Sequence, residues 1–208
     1  GIKSRVYQQT RLHGDNFTIP KQVYALIQLA AENAQIQYDE IKSVGVSTCS
    51  PFLRNGIYKE IVAPNLCGGL TDSGRLPNDW QSIALEEFLC NLYSHVIVEN
   101  DCVASVVAEK LFGAGKFIDN LVYVTWSTGI GAGIYVDGKL IRGKNGNAPH
   151  FGHIFIAEDG PQCGCGNYGD LEAVASGSAI ARDYHVSSAK IVFDDYRKGS
   201  EKAMAIIK

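Results

Sequence analysis

The 208-residue chain reads as an α/β protein built on a mixed sheet. Segments with apolar residues at helical spacing alternate along it with short β-branched runs, the pattern of layered α/β folds. Turn pairs such as Asn55-Gly56 and Asp137-Gly138 punctuate the strand runs. No repeat, linker or low-complexity tract breaks the alternation, and the length suffices to bury one large core or two small ones.

Taken in order, 20–34 carries Pro20 near its start and Val23, Ile27, Ala30 and Ala31 on one face, which predicts an amphipathic helix. Ile41 to Thr48 is a β-branched strand, and Asn55-Gly56 turns into a second strand from Ile57 to Val62. Asp79 to Leu92 is expected to be helical, with Ile83, Leu85, Phe88, Leu89 and Leu92 inward. A short strand, Val96 to Val98, runs into Glu99-Asn100-Asp101. Asp101 to Phe112 is a Val- and Ala-rich helix that ends at Gly113-Ala114-Gly115. Leu121 to Thr125 and Gly133 to Val136 pair as strands, and Asp137-Gly138 turns into Lys139 to Arg142. Leu171 to Ala175, Ser178 to Tyr184 and Glu201 to Ile207 read as helices.

Apolar residues at 46% and charged residues at 20% are ordinary for a folded domain, and a net charge of −3 gives no footprint for nucleic acid or an anionic membrane. No run is long enough for a membrane span, and nothing at the start reads as a secretory signal. Six cysteines, scattered except for one C-x-C pair, suit a reducing compartment better than a disulfide framework. The expected location is cytoplasmic.

The stretch 143–172 holds most of the chemistry. His153 is followed by Cys163-Gly164-Cys165 and by glycines at 166 and 169, which break helix and strand periodicity alike. Two thiolates one residue apart and a nearby imidazole can share one metal ion, zinc being the natural candidate for that donor set. Asp170 is the nearest fourth ligand. The bland alternative is a glycine-rich loop with two free thiols and an unconnected histidine.

Two further motifs are informative. Asn100-Asp101 lies where a strand gives way to a helix: a carboxylate there can take a proton from an attacking hydroxyl, and both residue types also favour plain helix capping. Ser127-Thr128-Gly129-Ile130-Gly131 is a small-residue turn whose N–H groups can cradle phosphate, or whose glycines serve steric needs.

The pattern G-x-x-G-x-x-x-x-x-G-H from Gly143 to His153, then C-x-C-G-x-x-G-x-L-E from Cys163 to Glu172, resembles the signature of the ROK family (repressors, open reading frames and kinases). Pro64-Asn65-Leu66, Glu99-Asn100-Asp101 and Thr128-Gly129-Ile130-Gly131 fall in the family's order, so the resemblance covers most of residues 44 to 180. It implies an actin-like ATPase (ribonuclease H-like) two-lobed fold. Residues 1–112 would form a partial N-terminal lobe and 113–208 a partial C-terminal lobe. It also implies ATP-dependent phosphorylation of a sugar hydroxyl, on a hexose or N-acetylhexosamine, with Asp101 as general base. Ser50, Asn65, Asn100, Asp101, His150, His153 and Glu172 would contact the sugar. Thr128, Gly129 and Gly131 would contact ATP phosphates accompanied by Mg2+. His153, Cys163, Cys165 and Asp170 would hold Zn2+. The family often forms homodimers.

Departures qualify the transfer. Pro149-His150-Phe151-Gly152-His153 stands where the family has G-E-x-G-H, so His150 replaces a sugar-contacting carboxylate. Cys49-Ser50-Pro51 stands for the family's P-G-P, and Asp170 for its third cysteine. The Asp-x-Gly-Gly-Thr phosphate loop of the family's first strand and its later adenosine-binding segment are not found, so the fold is expected to be incomplete at both ends. The alternatives to a kinase are a sugar-sensing regulator and a catalytically impaired, zinc-stabilised homologue.

Overall fold

A computed structural model describes residues 1–70, 74 and 76–207. The chain forms two compact units. One comprises Gly1–Asp101 with Gly143–Asn147, the other Cys102–Arg142 with Ala148–Lys208. The expected lobes divided after residue 112, whereas the compact units divide after Asp101 and return a short later segment to the first.

In the first unit, helix α1 (Thr18–Asn33) lays Ile19, Val23 and Ile27 against the core. Strand β1 (Val44–Thr48) pairs in parallel with β4 (Val96–Asn100), register Val44 with Val96 through Thr48 with Asn100. Strands β2 (Phe52–Asn55) and β3 (Tyr58–Ile61) form an antiparallel hairpin. Its turn contains Gly56, whose φ of +60° suits a residue without Cβ. Asn55-Gly56 is thus a turn as expected, but it joins β3 to a further strand, Phe52–Asn55, whose four residues carry no β-branched run to signal it. Phe52, Ile61, Trp80, Ile83, Leu89 and Val98 pack as the core.

The helix expected over 79–92 is only Leu85–Cys90, α2. The reason is backbone pairing: Ile83 exchanges both N–H···O bonds with Ile61, at 3.0 and 3.1 Å, so the chain before Ala84 runs alongside β3 instead of coiling. Leu85 and Leu89 still face inward, as the periodicity required.

In the second unit, α3 (Asp101–Phe112, its first residue belonging to the first unit) is followed by the antiparallel sheet β5 (Leu121–Trp126), β6 (Ile130–Val136) and β7 (Lys139–Leu140). The α-helices α4 (Leu171–Ala175), α5 (Gly177–Tyr184), α6 (Ala189–Arg197) and α7 (Glu201–Ile207) follow. Ile180, Val192 and Ala203 form a small core among the last three. Helix α6 was not foreseen; Ser188 caps it, and Lys190 and Arg197 pair with Asp194 along its exposed face. Among the described residues no helix is long and apolar enough to cross a membrane.

Candidate functional site

The first unit gathers its candidate groups at the C-terminal ends of β1 and β4, where ligands of parallel sheets commonly bind. Asn100 closes β4, and Asp101 opens α3. Asn100 Nδ2 donates to Ser50 Oγ at 3.1 Å and to Asp101 Oδ1 at 3.0 Å, so one amide joins three of the expected residues. Asn65 joins the group through Cys49, whose Sγ lies 3.5 Å from Asn65 Oδ1. Burial pushes the Cys49 thiol pKa up, although bonds to Thr48 and Asn65 oppose the shift, so this sulfur stays protonated as a weak donor.

Behind this cluster lies a pair that the sequence did not single out. Lys59 Nζ donates to Val98 O at 2.6 Å and sits 3.6 Å from Glu99 Oε1, with both side chains largely buried. Lys59 therefore fixes the strand immediately before Asn100 while neutralising Glu99. No periodicity signals this, because Lys59 lies on a short hairpin far from Glu99 in sequence.

In the second unit, the β5–β6 turn is anchored from several sides. Ser127 N–H donates to Gly129 O at 2.9 Å, Gly177 N–H to Ser127 O at 2.8 Å and Ser178 N–H to Thr128 O at 3.2 Å. Trp126 Nε1 reaches Ala175 O at 2.7 Å. Glu172 Oε2 accepts the Ile130 N–H at 2.8 Å. Thr128 and Gly129 thus sit on a turn clamped by α4 and the start of α5, a role for Glu172, Gly177 and Ser178 that was not legible in the sequence. Gly131 has a packing reason of its own: a Cβ there would meet Cys102 Sγ at 2.5 Å.

The loop 148–172 brings the metal candidates together. His153 Nδ1, Cys163 Sγ, Cys165 Sγ and an Asp170 carboxylate oxygen all lie within 4.8 Å of one another. His153 Nδ1 is 3.0 Å and Cys165 Sγ 3.5 Å from Asp170 Oδ2, and Cys163 Sγ is 3.7 Å from His153 Nδ1. Four ligands around a tetrahedral zinc stand about 3.3–3.8 Å apart, so this donor set and its spacing fit such an ion with little adjustment. Burial pushes the Cys163 thiol up to about 12, and the neighbouring Asp170 carboxylate reinforces that. Burial also acts to raise Asp170, but bonds from Cys163, the Ala173 N–H, His153 and Cys165 outweigh it and hold the carboxyl below its ordinary range. The sulfur that must lose a proton to ligate thus lies beside an oxygen that has already lost one.

His150 lies beside His153, with ring centroids 5.8 Å apart. Burial lowers the His150 pKa, His153 lowers it further and Glu172 partly offsets both, so at neutral pH its imidazole is a neutral donor and acceptor.

The ROK family model matches residues 9–208. The chain belongs to the ROK family. Among its ROK relatives, a glucokinase of Thermotoga maritima is 38% identical over 62% of this chain and 47% of its own length. A xylose repressor of Bacillus subtilis is 33% identical over 73% of this chain and 37% of its own. The ROK hexokinase of Thermus thermophilus has a similar structure, with a TM-score of 0.71 at 26% identity over 98% of this chain and 64% of that one. The fold is thus the mixed α/β, actin-like ATPase architecture of ROK sugar kinases. This ROK chain spans about half, or less, of the length of the curated relatives named here.

Proposed function

We propose that this chain carries the sugar-handling part of an ATP-dependent sugar kinase, acting on a hydroxyl of a hexose or N-acetylhexosamine in the cytoplasm. The observation that supports this most is the Ser50–Asn100–Asp101 group, in which one amide orients a carboxylate at the end of a parallel strand pair. Asp101 would accept the proton of the attacking hydroxyl as its oxygen bonds to the γ-phosphorus of ATP and the bond to the ADP oxygen breaks. The reading assigns Ser50, Asn65, Asn100, Asp101, His150, His153 and Glu172 to sugar hydroxyls. Thr128, Gly129 and Gly131 are assigned to the phosphates of ATP, with Mg2+ travelling on the nucleotide. His153, Cys163, Cys165 and Asp170 would hold zinc, which supplies a structural cross-link in the loop carrying His153.

A second reading is that of a sugar-binding regulator without efficient turnover; the repressor among the relatives supports it. Titrating hexoses and N-acetylhexosamines into the protein by calorimetry, and assaying phosphotransfer from ATP to the sugar that binds, separates the two. The kinase reading expects Asp101→Asn to keep sugar affinity within about threefold while turnover falls by about 10²- to 10⁴-fold, the usual contribution of a general base. Unchanged turnover would remove Asp101 from the mechanism. Saturable binding with no phosphotransfer in the unsubstituted protein would favour the regulator.

A further inference from the structure

Asp170 divides its two oxygens between two tasks. Oδ1 accepts the Ala173 N–H at 2.8 Å and so caps α4. Oδ2 faces His153 Nδ1 and Cys165 Sγ at 3.0 and 3.5 Å. The side chain is 1% exposed, so neither oxygen has bulk water as a ready alternative. A carboxylate can do both because its oxygens carry separate, divergent lone pairs, whereas a thiolate offers one atom and accepts hydrogen bonds only weakly.

Helix α4 has only five residues, and a helix so short depends on its cap and contacts more than on propagation. Its second residue is Glu172, which holds the Ile130 N–H in the glycine turn. Leu171 N–H donates to Ile154 O at 3.0 Å, tying the same turn of helix to the loop that carries His153. Recorded contacts therefore run without a gap from the His153–Cys163–Cys165 cluster through Asp170 and α4 to Glu172 and Ile130.

We propose that Asp170 is a bridging ligand and cap, so that metal occupancy and the anchoring of the glycine turn through Glu172 form one linked equilibrium. The inference rests on reading the cluster as a zinc site and goes beyond it. Linkage is reciprocal: whatever factor the ion contributes to order in α4 and the turn, order there returns to the ion's affinity. Asp170 is in this sense a positioning residue for Glu172, and exchanging sulfur for carboxylate in this chain gives up some affinity for zinc in return for the cap.

The test uses the whole chain with Zn2+ and Co2+ as probes, comparing the unsubstituted protein with Asp170→Asn and Asp170→Cys. Metal affinity is read by competition with a chromophoric chelator, and ligand geometry by the visible absorption of bound Co2+. Amide hydrogen exchange is followed at Ala173 and Ile130, with and without Zn2+. In the unsubstituted protein Zn2+ is expected to slow exchange at both amides by about tenfold, within the usual range of coupling between sites. Asp170→Asn keeps an oxygen for the cap but offers a poorer ligand. Its affinity should fall by about tenfold or more, the loss seen even for groups behind a ligand, and Zn2+ should no longer change exchange at Ile130. Asp170→Cys should bind Co2+ and Zn2+ at least as tightly, with Ala173 exchanging fast whether or not metal is bound.

Zinc binding with unchanged exchange at both amides would overturn the linkage while leaving the metal site intact. So would an Asp170→Cys protein that kept the same zinc-dependent protection. A folded, unsubstituted chain that bound neither ion would overturn the zinc reading and the linkage together.

Discussion

Glu172 shows how one carboxylate can be committed before any ligand arrives. Its Oε2 takes the Ile130 N–H, so Glu172→Ala leaves a part-buried donor without that partner. A loss of about 1–3 kcal/mol in unfolding free energy is expected, whereas Glu172→Gln, which retains a carbonyl oxygen, should lose less than half as much. Urea denaturation of both variants checks the ordering. Cys67 makes a second prediction at this scale. It is fully buried, with its Sγ 3.6 Å from Ile61 O. Burial, helped by nearby Cys49, raises its pKa from 9.0 to about 11. Because the folded value lies above the unfolded one, its contribution is complete below pH 9 and is lost as pH rises through about 11. Cys67→Ala should therefore flatten the alkaline fall in stability between those limits, by on the order of 2–3 kcal/mol relative to the unsubstituted chain. Parallel alkaline profiles would place the thiol's titration elsewhere.

At the scale of elements, the glycines of β6 separate packing from chemistry. A Cβ on Gly133 would lie 2.3 Å from Cys102 O, a backbone atom of α3, and 2.6 Å from Val106 Cγ1. Backbone cannot yield cheaply, so Gly133→Ala should destabilise by about 1–3 kcal/mol. Gly131→Ala meets only the Cys102 thiol and should cost less, and a nucleotide-affinity loss larger than its stability loss would mark Gly131 as a phosphate contact. Denaturation midpoints set beside nucleotide titrations read both. Elements with clean signals were legible beforehand: α3 begins and ends where its apolar pattern and Gly113 said, and β5 and β6 pair as expected. Helix α2 was overdrawn because Ile83 fits a helical period yet pairs with Ile61, a partner that sequence spacing does not reveal. Helix α6 gives a weak sequence signal because its inward residues, Ala189, Val192 and Phe193, are a short stripe among charged neighbours, and the core they join is supplied by α5 and α7. The candidate groups were found through motifs, whereas the contacts that hold them, Lys59 to Val98 and Ser178 to Thr128, are long-range and left no local trace.

For the whole molecule, the two units have separate cores, one around Phe52, Ile61, Leu89 and Val98 and the other around Ile180, Val192 and Ala203. Leu89→Ala should lower stability by about 2–5 kcal/mol, with amide protection in β1 and β4 lost first; unchanged protection there would argue against a single core beneath both strands. The chain enters the first unit twice, and the second entry is short. Within Gly143–Asn147, Asn147 Oδ1 accepts the Phe52 N–H at 2.7 Å and its Nδ2 donates to Phe52 O at 2.8 Å, so a side-chain amide imitates a neighbouring strand on the hairpin. This governs how the protein can be dissected. A fragment cut after Asp101 would lose both bonds at Phe52 and expose the hairpin's edge to other chains. Adding a synthetic peptide spanning 143–147 should restore its solubility, as with two halves of a split reporter, and a peptide carrying Ala in place of Asn147 should not.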